Sequence, residues 1–132
     1  MCIRDSKRVV LTGFTNNVYE YIRLSDIFVL PTLHETLSVS LLEASAASLP
    51  LISCNVGGVP EIIENGYNGL LVSPNDAAQL SDAIETLARN PEQRKIYGHN
   101  SLERLHAVFS KEQLLEKLKN LINTDLSRWE KE

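Results

Sequence analysis

Two glutamates, Glu35 and Glu43, are the acidic side chains that the sequence places best for chemistry on a ligand, and seven residues separate them. Glu35 follows a strand-like apolar run, at the edge where open α/β sheets bind ligands. Glu43 lies in the next helical stretch among leucines and alanines, where a buried carboxylate needs hydroxyl or amide partners. A ribose diol would supply two such donors. A helical glutamate that faces the solvent explains the spacing equally well.

The helix that carries Glu43 begins near Ser38, and its first turn faces the same crevice. The N–H groups from Thr36 to Leu41 lack partners within a helix, and the helix dipole adds positive potential at this end. Helix ends of this kind bind anionic groups. The sequence therefore predicts a site for a diphosphate next to Glu35.

Short apolar runs alternate with helical patterns along the chain. Strands are predicted at 9–11, 27–30, 51–54 and 70–72. Helices are predicted at 18–23 and 38–47, and capping signals at Asp76, Asn90 and Ser110 begin further helices. The last helix carries an apolar stripe of Leu114, Leu118, Leu121, Ile122 and Trp129. Strands that are apolar throughout indicate a parallel sheet that is buried on both faces. The predicted fold class is α/β, a Rossmann-like parallel sheet with flanking helices and a helical C-terminal tail.

The domain organisation follows from where these patterns start. Residues 1–7 are polar and patternless, and we expect them to be a non-native or disordered start. Residues 8–132 are expected to form one partial domain. Four strands are few for a doubly wound sheet, and the chain opens almost directly on a strand.

The composition is that of an ordinary globular protein, with 43% hydrophobic and 23% charged residues in a chain of 132. A net charge of −4 without a basic stripe argues against nucleic acid as a partner. Cys2 and Cys54 are too few for a disulfide framework, which favours a cytoplasmic setting. No apolar run approaches the ~20 residues of a transmembrane helix, and a peripheral membrane contact stays open.

Residues 31–50 carry the most informative motif and read PTLHETLSVSLLEASAASLP. They resemble the P-S-x-x-E-G-x-x-x-x-x-L-E-A-x-A-x-G-x-P signature of family-4 retaining glycosyltransferases, whose E-x7-E motif falls on Glu35 and Glu43. Four neighbouring segments resemble the family in order and spacing: TGF at 12–14, SDIFVLP at 25–31, GGVPE at 57–61 and GYNGLLV at 66–72. These segments lie between residues 12 and 72, and the resemblance covers roughly residues 8 to 115. The chain thus resembles the C-terminal, donor-binding domain of a GT-B fold, truncated on its N-terminal side.

This resemblance implies a nucleoside-diphosphate sugar as donor, transferred to an acceptor hydroxyl that the residues do not define. Glu43 would bind the ribose, and Glu35 would be the catalytic residue beside the transferred sugar. The other implied donor-binding residues are Thr36, Leu37, Ser38 and Val39 near sugar and phosphate, Gly13 and Phe14 near the base, and Gly57 and Gly58. Paired glycines after a strand are also typical of a plain turn. The family needs no metal or cofactor, and the sequence has no Asp-x-Asp or histidine cluster.

Two positions depart from the family pattern, because Thr36 and Ser48 replace glycine. If position 36 needs a positive φ, a β-branched threonine is strained there. The arginine and lysine that the family places on the donor phosphates have no counterpart in this chain, and neither does its N-terminal acceptor-binding domain. We therefore expect a donor-binding half that is inactive alone and that works with a missing domain of the same protein.

Two other functions are open at this point. A nucleotide-sugar epimerase shares the architecture but lacks the combination of E-x7-E with G-G-x-P-E. A non-catalytic nucleotide-binding or interaction domain would fit the two replaced glycines. A Rossmann dehydrogenase is disfavoured, because no G-x-G-x-x-G follows a strand.

Overall fold

A computed structural model describes residues 9–113 and 115–120 of the chain. Helices and strands alternate through most of this part. In chain order they are α1 (Val18–Leu24), β1 (Phe28–Leu30), α2 (Val39–Ala46), β2 (Leu51–Cys54), α3 (Val59–Ile62), β3 (Gly69–Val72), α4 (Ala77–Arg89) and α5 (Pro91–Phe109). Helical backbone is found again at 111–113 and 115–120.

The three strands form one parallel sheet in the order β1-β2-β3. Leu51 of the central strand lies opposite Phe28 on one side and Gly69 on the other. All four residues of β2 are buried, whereas β1 is half-buried. The predicted parallel sheet with flanking helices is therefore confirmed. Since parallel strands end at the same edge, the loops that follow the three strands meet there.

The predicted strand at 9–11 is wrong, because these residues form no strand and stay exposed. Val10 is 80% accessible and Leu11 is 66% accessible. A strand is stable only when neighbouring groups take up its N–H and C=O groups and another layer covers its side chains. Within 9–113 and 115–120 no strand pairs with this segment, so three strands stand where four were predicted.

The predicted helix starts are confirmed by side chains that accept hydrogen bonds from the backbone. Ser38 Oγ accepts from the Leu41 N–H at 3.4 Å. Equivalent bonds join Asp76 to Gln79 at 2.9 Å, Asn90 to Gln93 at 3.1 Å and Ser110 to Gln113 at 3.3 Å. Of the stripe predicted on the last helix, Leu114, Leu121, Ile122 and Trp129 lie outside the described residues.

Apolar side chains pack on both faces of the sheet. One cluster lies on the side of α1, α2 and α3 and consists of Ile22, Leu41, Ala44, Leu49, Leu51, Val59, Ile62 and Ile63. The other lies on the side of α4 and the first turns of α5 and consists of Ile52, Cys54, Val72, Ala83, Leu87 and Tyr97. Successive residues of a strand point to opposite faces, so Leu51 joins the first cluster and Ile52 the second. The strand β2 is thus covered on both sides and gives the loop at its carboxyl end a rigid base.

Candidate functional site

The loop between β1 and α2 carries Glu35 at the carboxyl edge of the sheet, where the sequence predicts it. Ser53 Oγ donates to the Leu30 carbonyl oxygen at 2.7 Å and ties the end of β1 to β2. Glu35 is half-buried, and its Oε1 accepts from the Thr36 N–H at 3.1 Å. The carboxylate is therefore held against its own loop while part of it stays accessible.

Gly57 and Gly58 pack directly on the backbone of this loop. The Gly58 N–H donates to the Glu35 carbonyl oxygen at 3.3 Å. A Cβ atom on Gly57 would lie 1.6 Å from that same oxygen, and one on Gly58 would lie 1.8 Å from the Thr36 carbonyl oxygen. Gly57 also has a φ of 50°, which favours glycine. The two glycines thus allow the loop after β2 to hold the loop that carries Glu35, and their contact with a donor stays a prediction.

A cavity of about 450 Å³ opens beside Glu35. Its lining residues are Leu33, His34, Glu35, Thr36, Val56 and Gly57. Pockets for small ligands commonly measure ~300–1,000 Å³, so this one has room for a small polar ligand. Three residues that the sequence singled out, Glu35, Thr36 and Gly57, therefore line one concave site.

Two further cavities do not involve the predicted site residues. One of about 310 Å³ lies at the carboxyl ends of the strands, and its lining includes Pro31, Cys54, Val72 and Asp76. Another of about 760 Å³ lies between the residues that precede β3 and the last turns of α5. It is lined by Glu64, Tyr67, Glu103, Arg104, His106, Ala107 and Val108. Its position before β3 puts it at the opposite end of the strand from the Glu35 loop.

Glu43 lies in the second turn of α2 and is half-buried. Its Oε1 accepts a hydrogen bond from the Tyr19 hydroxyl of α1 at 3.1 Å. This bond and the negative charge of Glu43 raise the pKa of Tyr19 above its usual value. Sequence reasoning did not select Tyr19, although its spacing from the core residue Ile22 would put both on one side of α1.

The amino end of α2 has fewer unpaired N–H groups than the sequence predicts. The Leu41 N–H donates to Ser38 Oγ, and the Thr36 N–H donates to Glu35 Oε1. The predicted run of available N–H groups from Thr36 to Leu41 is therefore wrong at both of its ends, because local side chains cap them. Leu37 and Val39 lie between these positions with exposed side chains, 46% and 65% accessible.

Gly13 and Phe14 lie in the loop that precedes α1. Gly13 has a φ of 63°, a left-handed conformation that suits glycine. The Phe14 side chain is 97% accessible, so it takes almost no part in the packing of the described residues. Their predicted role beside a base stays a prediction.

The two positions that depart from the family pattern behave differently. Thr36 does not have a positive φ, so the strain considered for it does not arise. Ser48 does have one, at 57°, and it follows Ala47, the C-cap of α2. The replacement of glycine is therefore costly for the backbone at position 48 and not at position 36.

The described part of the chain contains neither a metal-binding cluster nor a membrane-spanning helix. There, no three His, Cys, Asp or Glu side chains lie close enough together to hold a metal ion. None of its helices combines the length and the apolar character needed to cross a membrane. Cys54, at the end of β2, is a buried free thiol.

The parallel sheet with helices on both faces is the fold of GT-B glycosyltransferases of known structure. The chain belongs to the glycosyl transferases group 1, whose family model matches residues 5–104. The predicted family is thus confirmed. This match favours a glycosyltransferase over an epimerase or a non-catalytic binding domain.

Individual relatives are similar to this chain over a part of their own length. The capsular polysaccharide biosynthesis glycosyltransferase CapM of Staphylococcus aureus is 29% identical, over 97% of this chain and 34% of CapM. Sucrose-phosphate synthase of Thermosynechococcus elongatus aligns with a TM-score of 0.72 and 29% identity, over 82% of this chain and 27% of that one. Anabaena HepE in complex with UDP-glucose aligns with a TM-score of 0.72 and 21% identity, over 82% and 31%, which shows the fold alone. The chain therefore spans about a third of the length of the curated relative CapM.

Proposed function

We propose that this chain binds the nucleoside-diphosphate sugar of a retaining glycosyltransferase, which transfers a hexosyl group to an acceptor hydroxyl without a metal ion. The observation that carries the proposal is the Glu35 loop, which packs on Gly57 and Gly58 beside a cavity of about 450 Å³. Membership in the group 1 family supports the reaction class. The UDP-glucose in the HepE structure supports the class of donor.

In this proposal the nucleoside is held between α1 and α2. Glu43 accepts hydrogen bonds from the ribose hydroxyl groups, because a half-buried carboxylate has lone pairs to spare beyond the one that Tyr19 uses. Gly13 and Phe14 contact the base, and the exposed ring of Phe14 offers a face on which a base can stack.

The diphosphate is the leaving group, and the start of α2 stabilises it. The N–H groups of Leu37, Ser38 and Val39 face the charge that develops on the diphosphate as its bond to the sugar breaks. The dipole of the eight-residue helix adds positive potential at the same place. Donors that are already oriented stabilise such charge more than water does, because they need not reorganise during the reaction.

Glu35 positions the transferred sugar and stabilises positive charge that develops at the anomeric carbon. We do not assign it as a nucleophile. With retention, the bond to the acceptor oxygen forms on the face of the sugar from which the diphosphate departs, and the proton of the acceptor hydroxyl passes to the departing diphosphate. The chain supplies the donor side of this reaction, and another domain of the same protein supplies the acceptor side. The proposed setting is the cytoplasm. The buried free thiol of Cys54 fits a reducing compartment.

Saturation-transfer NMR of the chain with UDP-glucose, GDP-mannose and ADP-glucose tests this proposal. We expect one of the three to receive saturation on its ribose and hexose protons, because both parts contact the protein. The effect should persist in excess EDTA, since no metal ion bridges the diphosphate. A folded chain that transfers saturation to none of them, or only after Mg²⁺ is added, would contradict the proposal.

A further inference from the structure

Tyr19 makes a long-range contact at the proposed donor site that the reaction as described does not use. Its side chain is 62% accessible, yet its hydroxyl donates to Glu43 Oε1 at 3.1 Å across 24 residues of sequence. An exposed tyrosine has no need of a protein partner, because water can satisfy its hydroxyl. A bond to the one carboxylate that the proposed function places on the ribose therefore calls for an explanation.

The burial of one residue of α1 in the apolar cluster beside α2 supports this contact. Ile22 is only 5% accessible and belongs to the same apolar cluster as Leu41. Tyr19 lies three residues before Ile22, so both are on one side of α1. Glu43 lies two residues after Leu41 in α2. Burial of Ile22 thus sets the rotation of α1 that brings the Tyr19 hydroxyl to Glu43.

The hydrogen bond leaves most of the carboxylate available. An ionised carboxylate can accept about four hydrogen bonds, and Tyr19 takes one of them on Oε1. The remaining lone pairs of the carboxylate, which include those of Oε2, can accept hydrogen bonds from both hydroxyl groups of a ribose. A carboxylate whose rotamer is already fixed loses less side-chain freedom when it binds such a diol.

We propose that Tyr19 is a positioning residue that holds Glu43 in the orientation required by a ribose diol, and that it thereby selects ribonucleoside over 2′-deoxyribonucleoside diphosphates. This inference rests on the proposed function, because it takes the Glu43 carboxylate as the ribose-binding group. The hydrogen bond to Glu43 and the negative charge there raise the pKa of Tyr19, so its hydroxyl stays a donor to higher pH than that of an ordinary tyrosine.

Calorimetric titration of the whole chain with UDP, GDP and ADP, and with their 2′-deoxy forms, tests the inference in Tyr19→Phe. We expect the affinity for the ribonucleotide that binds to fall about three- to tenfold, the range for one net hydrogen bond. The affinity for its 2′-deoxy form should change less, because that ligand lacks one of the two hydroxyl groups. Tyr21→Phe is the matched control, since Tyr21 is 50% accessible on the same helix, and it should leave both affinities unchanged.

Each other outcome has a definite meaning. Equal losses for both sugars, no loss, or tighter binding in Tyr19→Phe would overturn the positioning role, provided that Glu43→Ala weakens binding. If Glu43→Ala leaves the affinity unchanged, or if the wild-type chain binds none of these nucleotides, the proposed function fails and the inference fails with it. Ultraviolet titration of the tyrosines checks the contact without any ligand. Tyr19 should ionise at lower pH in Glu43→Gln than in the wild type, and an identical titration would show that the bond does not form.

Discussion

The carbonyl oxygen of Glu35 leaves no room for a side chain on the glycine that faces it. We therefore predict that Gly57→Ala lowers the free energy of unfolding by roughly 2 kcal/mol or more, because the added Cβ would lie 1.6 Å from that oxygen at a φ of 50°. Denaturant unfolding measures this loss. Nucleotide affinity should fall with it, since the loop that carries Glu35 must move.

Gly66→Ala is the matched control for this prediction. Gly66 also has a positive φ, 81°, but nothing lies within 4 Å of a Cβ built on it. Its replacement should cost only the backbone term of about 1 kcal/mol. Equal losses in the two variants would show that the contact between Gly57 and the Glu35 loop does not constrain the site.

Glu35 and Glu43 should separate in function, because they are assigned to different parts of the donor. We predict that, in the full-length protein that contains this chain, Glu35→Gln lowers the rate of sugar transfer by about tenfold or more while the affinity for the nucleoside diphosphate changes less than threefold. Steady-state kinetics measures the rate and calorimetry measures the affinity, both on the same preparations. Similar losses in rate and in affinity would count against this division of roles.

Individual site residues could be predicted from the sequence where local rules decide their position. Glu35 follows a strand, and Ser38 is followed three residues later by the amide that it caps, so both were found. Tyr19 was missed, because its bond to Glu43 depends on how α1 packs on α2. The roles of Gly57 and Gly58 were open for the same reason, since only the folded chain shows what lies 1.6 and 1.8 Å from an added Cβ.

At the scale of the element, the carboxyl end of α2 is a helix cap that lacks its favoured glycine. The Leu49 N–H donates to the Ala44 carbonyl oxygen at 3.1 Å, and the Ser48 N–H donates to the Ser45 carbonyl oxygen at 3.0 Å. This pair of bonds is a Schellman motif, whose residue with positive φ is usually glycine. Here that residue is Ser48, with a φ of 57°.

We predict that Ser48→Gly raises the free energy of unfolding by roughly 0.5–1 kcal/mol, because relief of the left-handed conformation exceeds the entropy that glycine adds to the unfolded chain. Thermal and denaturant unfolding measure the gain. Ser48→Ala is the control, as it removes the hydroxyl but keeps the strain, and it should not stabilise the chain. Equal effects of glycine and alanine would show that backbone strain is not the cause.

The Arg104 side chain of α5 forms hydrogen bonds with the carboxyl end of α3. Its Nε donates to the Ile62 carbonyl oxygen at 3.0 Å, its Nη2 donates to the Glu61 carbonyl oxygen at 3.1 Å, and its Nη1 lies 2.9 Å from Glu64 Oε2. Its side chain is only 20% accessible. The planar guanidinium can serve these acceptors together, which a single ammonium group cannot.

We predict that Arg104→Met lowers the free energy of unfolding by about 2 kcal/mol, since carbonyl groups lose charged donors, and that Arg104→Lys recovers only part of it. Arg89→Met is the control. Arg89 Nη2 lies 2.6 Å from Glu85 Oε1, but both side chains are exposed, so its loss should cost less than ~0.5 kcal/mol. Chemical unfolding measures the free energy of unfolding of the three variants. Equal losses at positions 104 and 89 would show that Arg104 does not stabilise the end of α3.

Whether an element forms depends on more than its own pattern. The apolar runs at 51–54 and 70–72 became strands because each has a parallel neighbour. The run at 9–11 has a similar composition, yet no strand in the described part of the chain pairs with it. The periodicity of the sequence therefore located the strands that do pair. It also predicted a strand at 9–11, because periodicity carries no information on whether a neighbouring strand is present.

At the scale of the whole molecule, burial is uneven. Two apolar clusters cover the two faces of the sheet, whereas Val10, Phe14 and Leu24 are 80%, 97% and 85% accessible. The fold class could be predicted because buried parallel strands and capped helices leave strong local signals. The exposure of the segment before and within α1 could not be predicted, because the periodicity of a segment does not show which other residues cover it.

The central claim is that this chain binds a nucleoside diphosphate through Glu43. Calorimetric titration with UDP, GDP and ADP, repeated with Glu43→Ala, tests it most directly. Glu85→Ala is the control, because Glu85 is an exposed glutamate that pairs with Arg89 in α4. We predict micromolar to millimolar binding of one nucleotide, weakened about tenfold or more in Glu43→Ala and unchanged in Glu85→Ala. Binding that survives Glu43→Ala, or no binding by the folded wild-type chain, would contradict the account.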